Sequence, residues 1–184
     1  IVGLGNTGSR VAEICRLAFG CKILACDPYI EDHQFIDKKV TRVGVEELLN
    51  KSDVISVHIP LNKETNNMIN KEWFKKMKKG SYFVTTARGS IHNEEDLYEF
   101  ITNGHLAGAG LDVWGYEPPA SSHKLLKLDN VIASPHTAGV TQDSRKKMSE
   151  FVATQLLNLF DGEDPTRPVN PEVIDTYRNK FKNL

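Results

Sequence analysis

The chain opens with "IVGLGNTGSR", residues 1–10. Gly3, Gly5 and Gly8 make a Gly-x-Gly-x-x-Gly pattern that leaves a short apolar run, Ile1-Val2, and enters a stretch with helical spacing. Alone, the pattern is weak, because many glycine-containing loops match it. Its context decides the fold. A second apolar run, "KILACD" at 22–27, ends in Asp27, and 27 − 8 = 19 residues separate it from the last glycine. A strand, a glycine turn, a helix and a second strand with an acidic end are the parts of a dinucleotide-binding unit. The glycines let the chain turn tightly and let a pyrophosphate approach the backbone N–H groups and the helix N-terminus. Asp27 can accept hydrogen bonds from both adenosine ribose hydroxyls and would repel a 2′-phosphate, which favours NAD over NADP. The plainer alternative is a turn aspartate before Pro28.

Outward from this unit, short apolar runs alternate with amphipathic stretches, the pattern of βαβ units. Strands are expected at Ile1-Val2 and at residues 22–27, 53–59, 81–87, 107–113 and 131–134. Several are apolar on successive residues, as strands covered on both faces should be. Helices are expected over 6–19, with Val11, Ile14, Cys15 and Ala18 on one face, over 44–51, and over 70–80 with Trp73, Phe74 and Met77 as the apolar stripe. Asn93 should cap a helix that stops near Gly104, with acidic residues in the first turn favoured by the helix dipole. The longest helix should run over 141–162, its apolar positions 148, 151, 152, 156, 159 and 160 at helical spacing. Lys-rich residues 75–79 read as a solvated helix face. Pro165, Pro168 and Pro171 mark an extended linker before a short terminal helix. The fold class is α/β, a doubly wound parallel sheet over residues 1–168, with 169–184 as a separate C-terminal tail.

Composition narrows the function. The 184 residues are 40% hydrophobic and 26% charged with net charge −1, an ordinary globular balance that disfavours a nucleic-acid or anionic-membrane partner. No apolar run approaches a membrane span and no export signal is visible. Cys15, Cys21 and Cys26 lack metal spacing and read as reduced thiols of a cytoplasmic protein, so no metal is expected. Ile1-Val2 is short for a core strand, which suggests that the sequence starts inside one, as a segment of a longer protein.

In a doubly wound sheet, ligands gather at the carboxyl ends of the strands. Three polar residues fall there: Arg88 after "VTTA", Glu117 past "GLDVWGY" and His136 after "VIAS". Each has a bland reading as a surface arginine, a loop glutamate or a structural histidine. Together they make chemical sense. A guanidinium grips a carboxylate with two hydrogen bonds, and an imidazole exchanges a proton near neutral pH. A carboxylate beside the imidazole stabilises its charged form and fixes its orientation. With a nicotinamide, the set suits hydride transfer to a 2-oxo acid.

The segments "GLGNTG" (3–8), "SVHIPLNKETNNMIN" (56–70), "TTARGSIHNEEDL" (85–97), "GAGLDVWGYEPP" (108–119) and "SPHTAGVT" (134–141) resemble, in order, the motifs of the D-isomer-specific 2-hydroxyacid dehydrogenases. This family includes phosphoglycerate dehydrogenase, hydroxypyruvate and glyoxylate reductases and D-lactate dehydrogenase. The resemblance implies Arg88 as substrate-binding arginine, Glu117 as carboxylate partner and His136 as acid/base. It further implies cofactor contacts from Asn6 and Thr7 of the glycine turn, from Ile59, Pro60 and Thr65 on the adenine side, and from Thr86 and Ala87 on the nicotinamide side. Asp112 would lie near the nicotinamide carboxamide, with Arg88, His136 and Gly139 also lining the cofactor. Formate dehydrogenases of the same superfamily carry glutamine in place of Glu117, so that activity is disfavoured. Thr85 replaces a common asparagine, and His92-Asn93 replaces a common Val-Asp. The family pattern adds a substrate domain built from preceding residues and the tail, whose residues from Val169 resemble a return strand and helix. It implies a small-molecule 2-hydroxy or 2-oxo acid partner and a homodimer. An NAD(H)-sensing corepressor on the same fold is the alternative.

Overall fold

The computed structural model describes residues 1–181. These form two compact units, Ile1–Ala138 and the residues from Gly139 on. The boundary expected after residue 168 therefore falls inside the second unit.

The first unit runs through α1 (Asn6–Phe19), β1 (Leu24–Ala25), α2 (Asp32–Asp37), β2 (Thr41–Arg42), α3 (Val45–Lys51), β3 (Val54–Val57), α4 (Lys71–Lys76), β4 (Tyr82–Thr85), α5 (Glu94–Thr102), β5 (Gly108–Leu111) and β6 (Val131–Ala133). Strands β3-β4-β5-β6 pair in parallel, as do β1 and β2. Val2 joins the two groups, bridging in parallel to Cys26 on one side and Val57 on the other. Its N–H donates to Ser56 O at 2.9 Å, and the Gly3 N–H donates to Cys26 O at 2.9 Å. The lateral order is thus β2-β1-Val2-β3-β4-β5-β6, and the direction of winding reverses at Val2. That reversal opens the crevice in which α/β sheets hold ligands.

The fold follows from burial on both faces. Ile55, Val57, Phe83 and Leu111 pack against Leu48, Phe74, Leu97 and Ile101, with the Phe74 and Phe83 rings edge to face at 5.4 Å. A smaller cluster joins Leu4, Ala12, Ala25 and Phe35. The Asn70 and Asn93 side chains cap α4 and α5 by accepting from the N–H groups of Glu72 and Asp96. Three expectations need correction. In α1 the buried residues are Gly8 and Ala12, whereas Ile14 and Ala18 of the expected face are exposed. The helix packs through small residues because the glycine turn brings its first turns hard against the sheet. Strand β2 was not expected, since two exposed residues carry no apolar signal. Ile1-Val2 contributes bridges at Val2 rather than a full ladder.

In the second unit, α6 (Gln142–Phe160) starts from a reciprocal cap between Thr141 and Ser144. A 3-10 turn at Pro171–Val173 leads into α7 (Ile174–Phe181). No residue of α6 is buried, so the expected apolar stripe is helical but uncovered. The expected return strand does not form among the described residues: Val169 is 99% exposed, and prolines at 165, 168 and 171 lack the N–H groups a ladder needs. Residues 182–184 of the expected tail helix lie outside the described residues.

Candidate active site

The glycine turn is shaped by contact. Gly3 sits at φ 85°, and a Cβ there would lie 2.7 Å from Ile59 Cγ2. A Cβ on Gly8 would meet Gly3 O at 2.0 Å. Gly5 differs, because nothing lies within 4 Å of where its Cβ would be. It is the N-cap of α1 and supplies no side-chain cap for the first-turn N–H groups, with Asn6 and Thr7 exposed beside it. An uncapped helix start over open space is a ready anion site. Asp27 ties the turn to the second strand. Its Oδ2 accepts from Leu4 N at 2.8 Å and its Oδ1 from Tyr29 N at 3.0 Å. Each oxygen keeps acceptor capacity for a ribose hydroxyl. These features fit a dinucleotide.

A cavity of about 580 Å³ lies next to the turn. Thr7 lines it from the turn, residues 58–61 from the end of β3, and Thr86, Ala87 and Arg88 from the end of β4. Its wall is braced by Thr65, whose Oγ1 donates to Pro60 O at 2.6 Å, while Asn62 Oδ1 accepts from Glu64 N and Thr65 N. Expected residues Ile59, Pro60, Thr86, Ala87 and Arg88 thus share one cavity, with Thr65 behind it. His58 and Leu61 line it too and were missed, although both stand in the quoted "SVHIPL" segment. Burial holds the His58 imidazole below its ordinary pKa, and its Nε2 lies 2.9 Å from Ser56 Oγ.

Beyond β5 and β6 the chemistry concentrates. His136 Nδ1 lies 2.7 Å from Glu117 Oε2, and Glu117 Oε1 accepts from Trp114 N at 3.0 Å. The His136 hydrogen bond, then that from Trp114, hold the Glu117 carboxyl below the usual carboxylate range, with smaller help from the charges of His136 and Arg88. Arg88 is exposed, and its Nη1 donates to Ala87 O at 2.6 Å. His136 adopts φ 55°, the left-handed region that non-glycine residues seldom occupy. Asp112 enforces that conformation. Its carbonyl accepts from His136 N at 2.7 Å, and its Oδ1 accepts from Ser134 Oγ at 2.6 Å and Thr137 N at 2.8 Å. Oδ2 accepts from Ala138 N at 3.0 Å. Burial alone would raise the Asp112 carboxyl. The Ser134 hydroxyl, the Ala138 and Thr137 N–H groups and the charge of His136 outweigh it and hold that carboxyl below its ordinary value.

The expected residues therefore meet in part. Glu117 and His136 are in direct contact, Arg88 acts on Glu117 through its charge, and Asp112 holds the loop that presents the histidine. Gly139 begins the second unit, where its carbonyl accepts from Ser144 Oγ at 2.7 Å. Trp114, Ser134, Thr137 and Ala138 were missed as site residues. Their part consists of long-range hydrogen bonds, which no local pattern signals. Among the described residues, no three His, Cys, Asp or Glu side chains gather as a metal site.

Comparison with known proteins identifies the family. A glyoxylate reductase from Korarchaeum cryptofilum is 39% identical over 174 residues, covering 95% of this chain and 52% of the relative. A D-3-phosphoglycerate dehydrogenase from Archaeoglobus fulgidus is 40% identical over 170 residues, covering 92% of this chain and 32% of the relative. The chain thus spans about half the length, or less, of the curated relatives it matches. The crystal structure of D-lactate dehydrogenase with NAD+ from Lactobacillus jensenii superposes with a TM-score of 0.84 at 33% identity, covering 91% of this chain and 54% of that one. A family model described as "D-isomer specific 2-hydroxyacid dehydrogenase, NAD binding domain" matches residues 1–138, the whole of the first compact unit, and the chain belongs to that family.

Proposed function

We propose that this protein interconverts a D-2-hydroxy acid and its 2-oxo acid, with NAD bound along the crevice at Val2. The observation that carries the proposal is the 2.7 Å contact between His136 and Glu117, at the sheet end that also bears Arg88. Bound NAD(H) supplies or accepts the hydride. His136 exchanges the accompanying proton: Glu117 engages Nδ1, and Nε2 is the nitrogen left to face the substrate oxygen. Glu117 fixes the orientation of the ring through that hydrogen bond. Arg88 grips the substrate carboxylate with the two-pronged geometry that a lysine could not offer. Asp112 holds the 134–138 loop, and its Oδ2, with one N–H bound, has a lone pair left for the carboxamide.

The glycine turn and the α1 N-terminus hold the pyrophosphate, Asp27 the adenosine ribose, and Ile59, Pro60 and Thr65 the adenine side. Because Asp27 opposes a 2′-phosphate, NADH should bind more tightly than NADPH, and equal affinity in a fluorescence titration would refute that preference. Three free thiols support a reducing, cytoplasmic setting. A homodimer is the expected assembly, checked by light scattering. The proposal is tested by turnover of glyoxylate, hydroxypyruvate and other 2-oxo acids with NADH. His136→Ala should cost about 10²- to 10⁴-fold in rate, the range for a positioned acid/base, with NADH affinity little changed. A rate that survives this substitution would remove the histidine from the chemistry.

A further inference from the structure

The Trp114-Gly115 peptide lies where the three candidate catalytic segments converge. The Arg88 segment presses on it from one side, for a Cβ on Gly89 would sit 1.9 Å from the carbonyl carbon of Trp114. The Trp114 N–H donates to Glu117 Oε1 at 3.0 Å, and the indole Nε1–H donates to Ser134 O at 3.1 Å, two residues before His136. The Gly115 N–H donates to Glu94 Oε1 at 2.8 Å. Glu94 Oε2 lies 3.3 Å from His123 Nε2, and the His123 ring stands edge-on to the indole at 5.3 Å. Trp114 is 4% exposed, and its own two hydrogen bonds are partly buried, whereas the Gly115–Glu94 bond lies at the surface.

We infer that Trp114 is a positioning residue for the Glu117–His136 pair, and that Glu94, backed by His123, is the clamp that holds it. The reasoning is geometric. Glu117 and His136 arise from different loops, and their 2.7 Å contact needs both loops in register. The indole fixes the histidine loop through Ser134, and the Trp114 N–H fixes the glutamate. Glu94, rooted in the first turn of α5, fixes the peptide that carries both. Releasing the clamp lets the pair drift by a fraction of an ångström to an ångström, and misplacement on that scale can cost up to about a hundredfold in rate.

The inference rests on the proposed roles of Glu117 and His136, and the experiment separates the two. Glu94→Ala, Glu94→Gln and Trp114→Phe are made in the full chain, with Glu117→Gln as reference. Amide hydrogen exchange is followed without ligand, and kcat and KM for NADH are measured with a 2-oxo acid that the protein reduces. Glu94→Ala should strip the Gly115 amide of its protection and lower kcat about 10- to 100-fold with KM for NADH unchanged. Glu94→Gln, which keeps the acceptor, should restore both. Trp114→Phe, which keeps the ring and loses the N–H, should lower kcat alone. Combined with Glu117→Gln, Glu94→Ala should cost less than the sum of the two single changes, because both act on the Glu117–His136 contact. Full additivity, or a kcat untouched while Gly115 loses protection, would overturn the clamp. If Glu117→Gln and His136→Ala leave turnover unchanged, the functional reading fails instead, and Gly115 protection still reports whether the clamp exists.

Discussion

His136 Nδ1 stands 2.7 Å from Glu117 Oε2, although the two residues leave different strands and are nineteen positions apart. Each lies in a loop, and both are fixed by the backbone of the segment that follows β5: Glu117 by Trp114 N, His136 by Asp112 O. The acid limb of activity should follow from this. Hydrogen bonding from His136 lowers the Glu117 pKa, so the carboxylate persists as pH falls and is lost only below the ordinary value of 4.5. No loss of reductive rate traceable to Glu117 should therefore appear above that pH. Glu117→Gln keeps the shape and removes the charge, and should lower kcat about 10- to 100-fold across the neutral range through lost orientation of the ring. Rate profiles of both forms decide it, and identical profiles would dissolve the pairing.

The glycine turn offers a separation of stability from binding. Gly8→Ala drives a methyl to 2.0 Å from Gly3 O, a backbone atom that cannot yield without moving the turn. It should destabilise the fold by about 3 kcal/mol or more, at the upper end of overpacking costs. Gly5→Ala meets nothing within 4 Å, and its φ of −68° suits any residue. Its melting temperature should stay near that of the wild type, while the methyl enters the space a pyrophosphate would occupy and weakens NADH binding at least about tenfold. Equal Tm losses for the two variants would contradict this account of the turn.

How much of this was visible in the sequence depends on the range of the interaction. The Asn93 cap, the Gly104 stop and the span of α1 were legible because caps and glycine turns are local. The positions of Asp27, Arg88 and His136 just past strand ends were legible because a βαβ repeat places strand ends predictably. The packed face of α1 was not. The apolar residues Val11, Ile14 and Cys15 outscore Gly8 and Ala12 in any pattern, and Val11 does pack against the core, yet close approach to the sheet fully buries only the small pair. Trp114 stands in the quoted 108–119 segment, but nothing nearby announces that its indole reaches Ser134 twenty positions on.

His92 should make the protein acid-labile. It is 4% exposed, packs its ring 5.5 Å from that of Phe83, and neither ring nitrogen has a partner among the described residues. Burial pushes its pKa down from 6.5 to about 4, despite an opposing pull from Glu94. The folded state thus keeps the ring neutral while the unfolded chain takes a proton below about pH 6.5. Stability is full above that pH and falls between 6.5 and 4, by about 3 kcal/mol over the whole span. His92→Val should remove this part of the slope. Urea unfolding at pH 7 and pH 4.5 measures it, and equal pH dependence in the two proteins would show that His92 does not govern acid lability.

Asp112 should act in a lower pH window. Its carboxylate accepts from Ser134, Thr137 and Ala138 and carries the turn that holds His136 in the left-handed region. The folded pKa lies below the ordinary 3.8, so the unfolded chain binds the proton first as pH falls. The stabilisation is complete above 3.8 and disappears as pH drops through the folded value. Asp112→Asn cannot reproduce it, because an amide offers one acceptor oxygen where two are needed and turns a donor toward an N–H. At pH 7 the variant should lose about 1–3 kcal/mol, the usual cost of leaving a buried donor unpaired. That deficit should shrink once the wild-type carboxylate is itself protonated. Measured in the His92→Val background, which should keep the chain folded in acid, the gap between aspartate and asparagine forms should narrow from pH 7 to pH 3. A gap that stays constant would mean that Asp112 contributes by shape alone and that its charge does not hold the histidine loop.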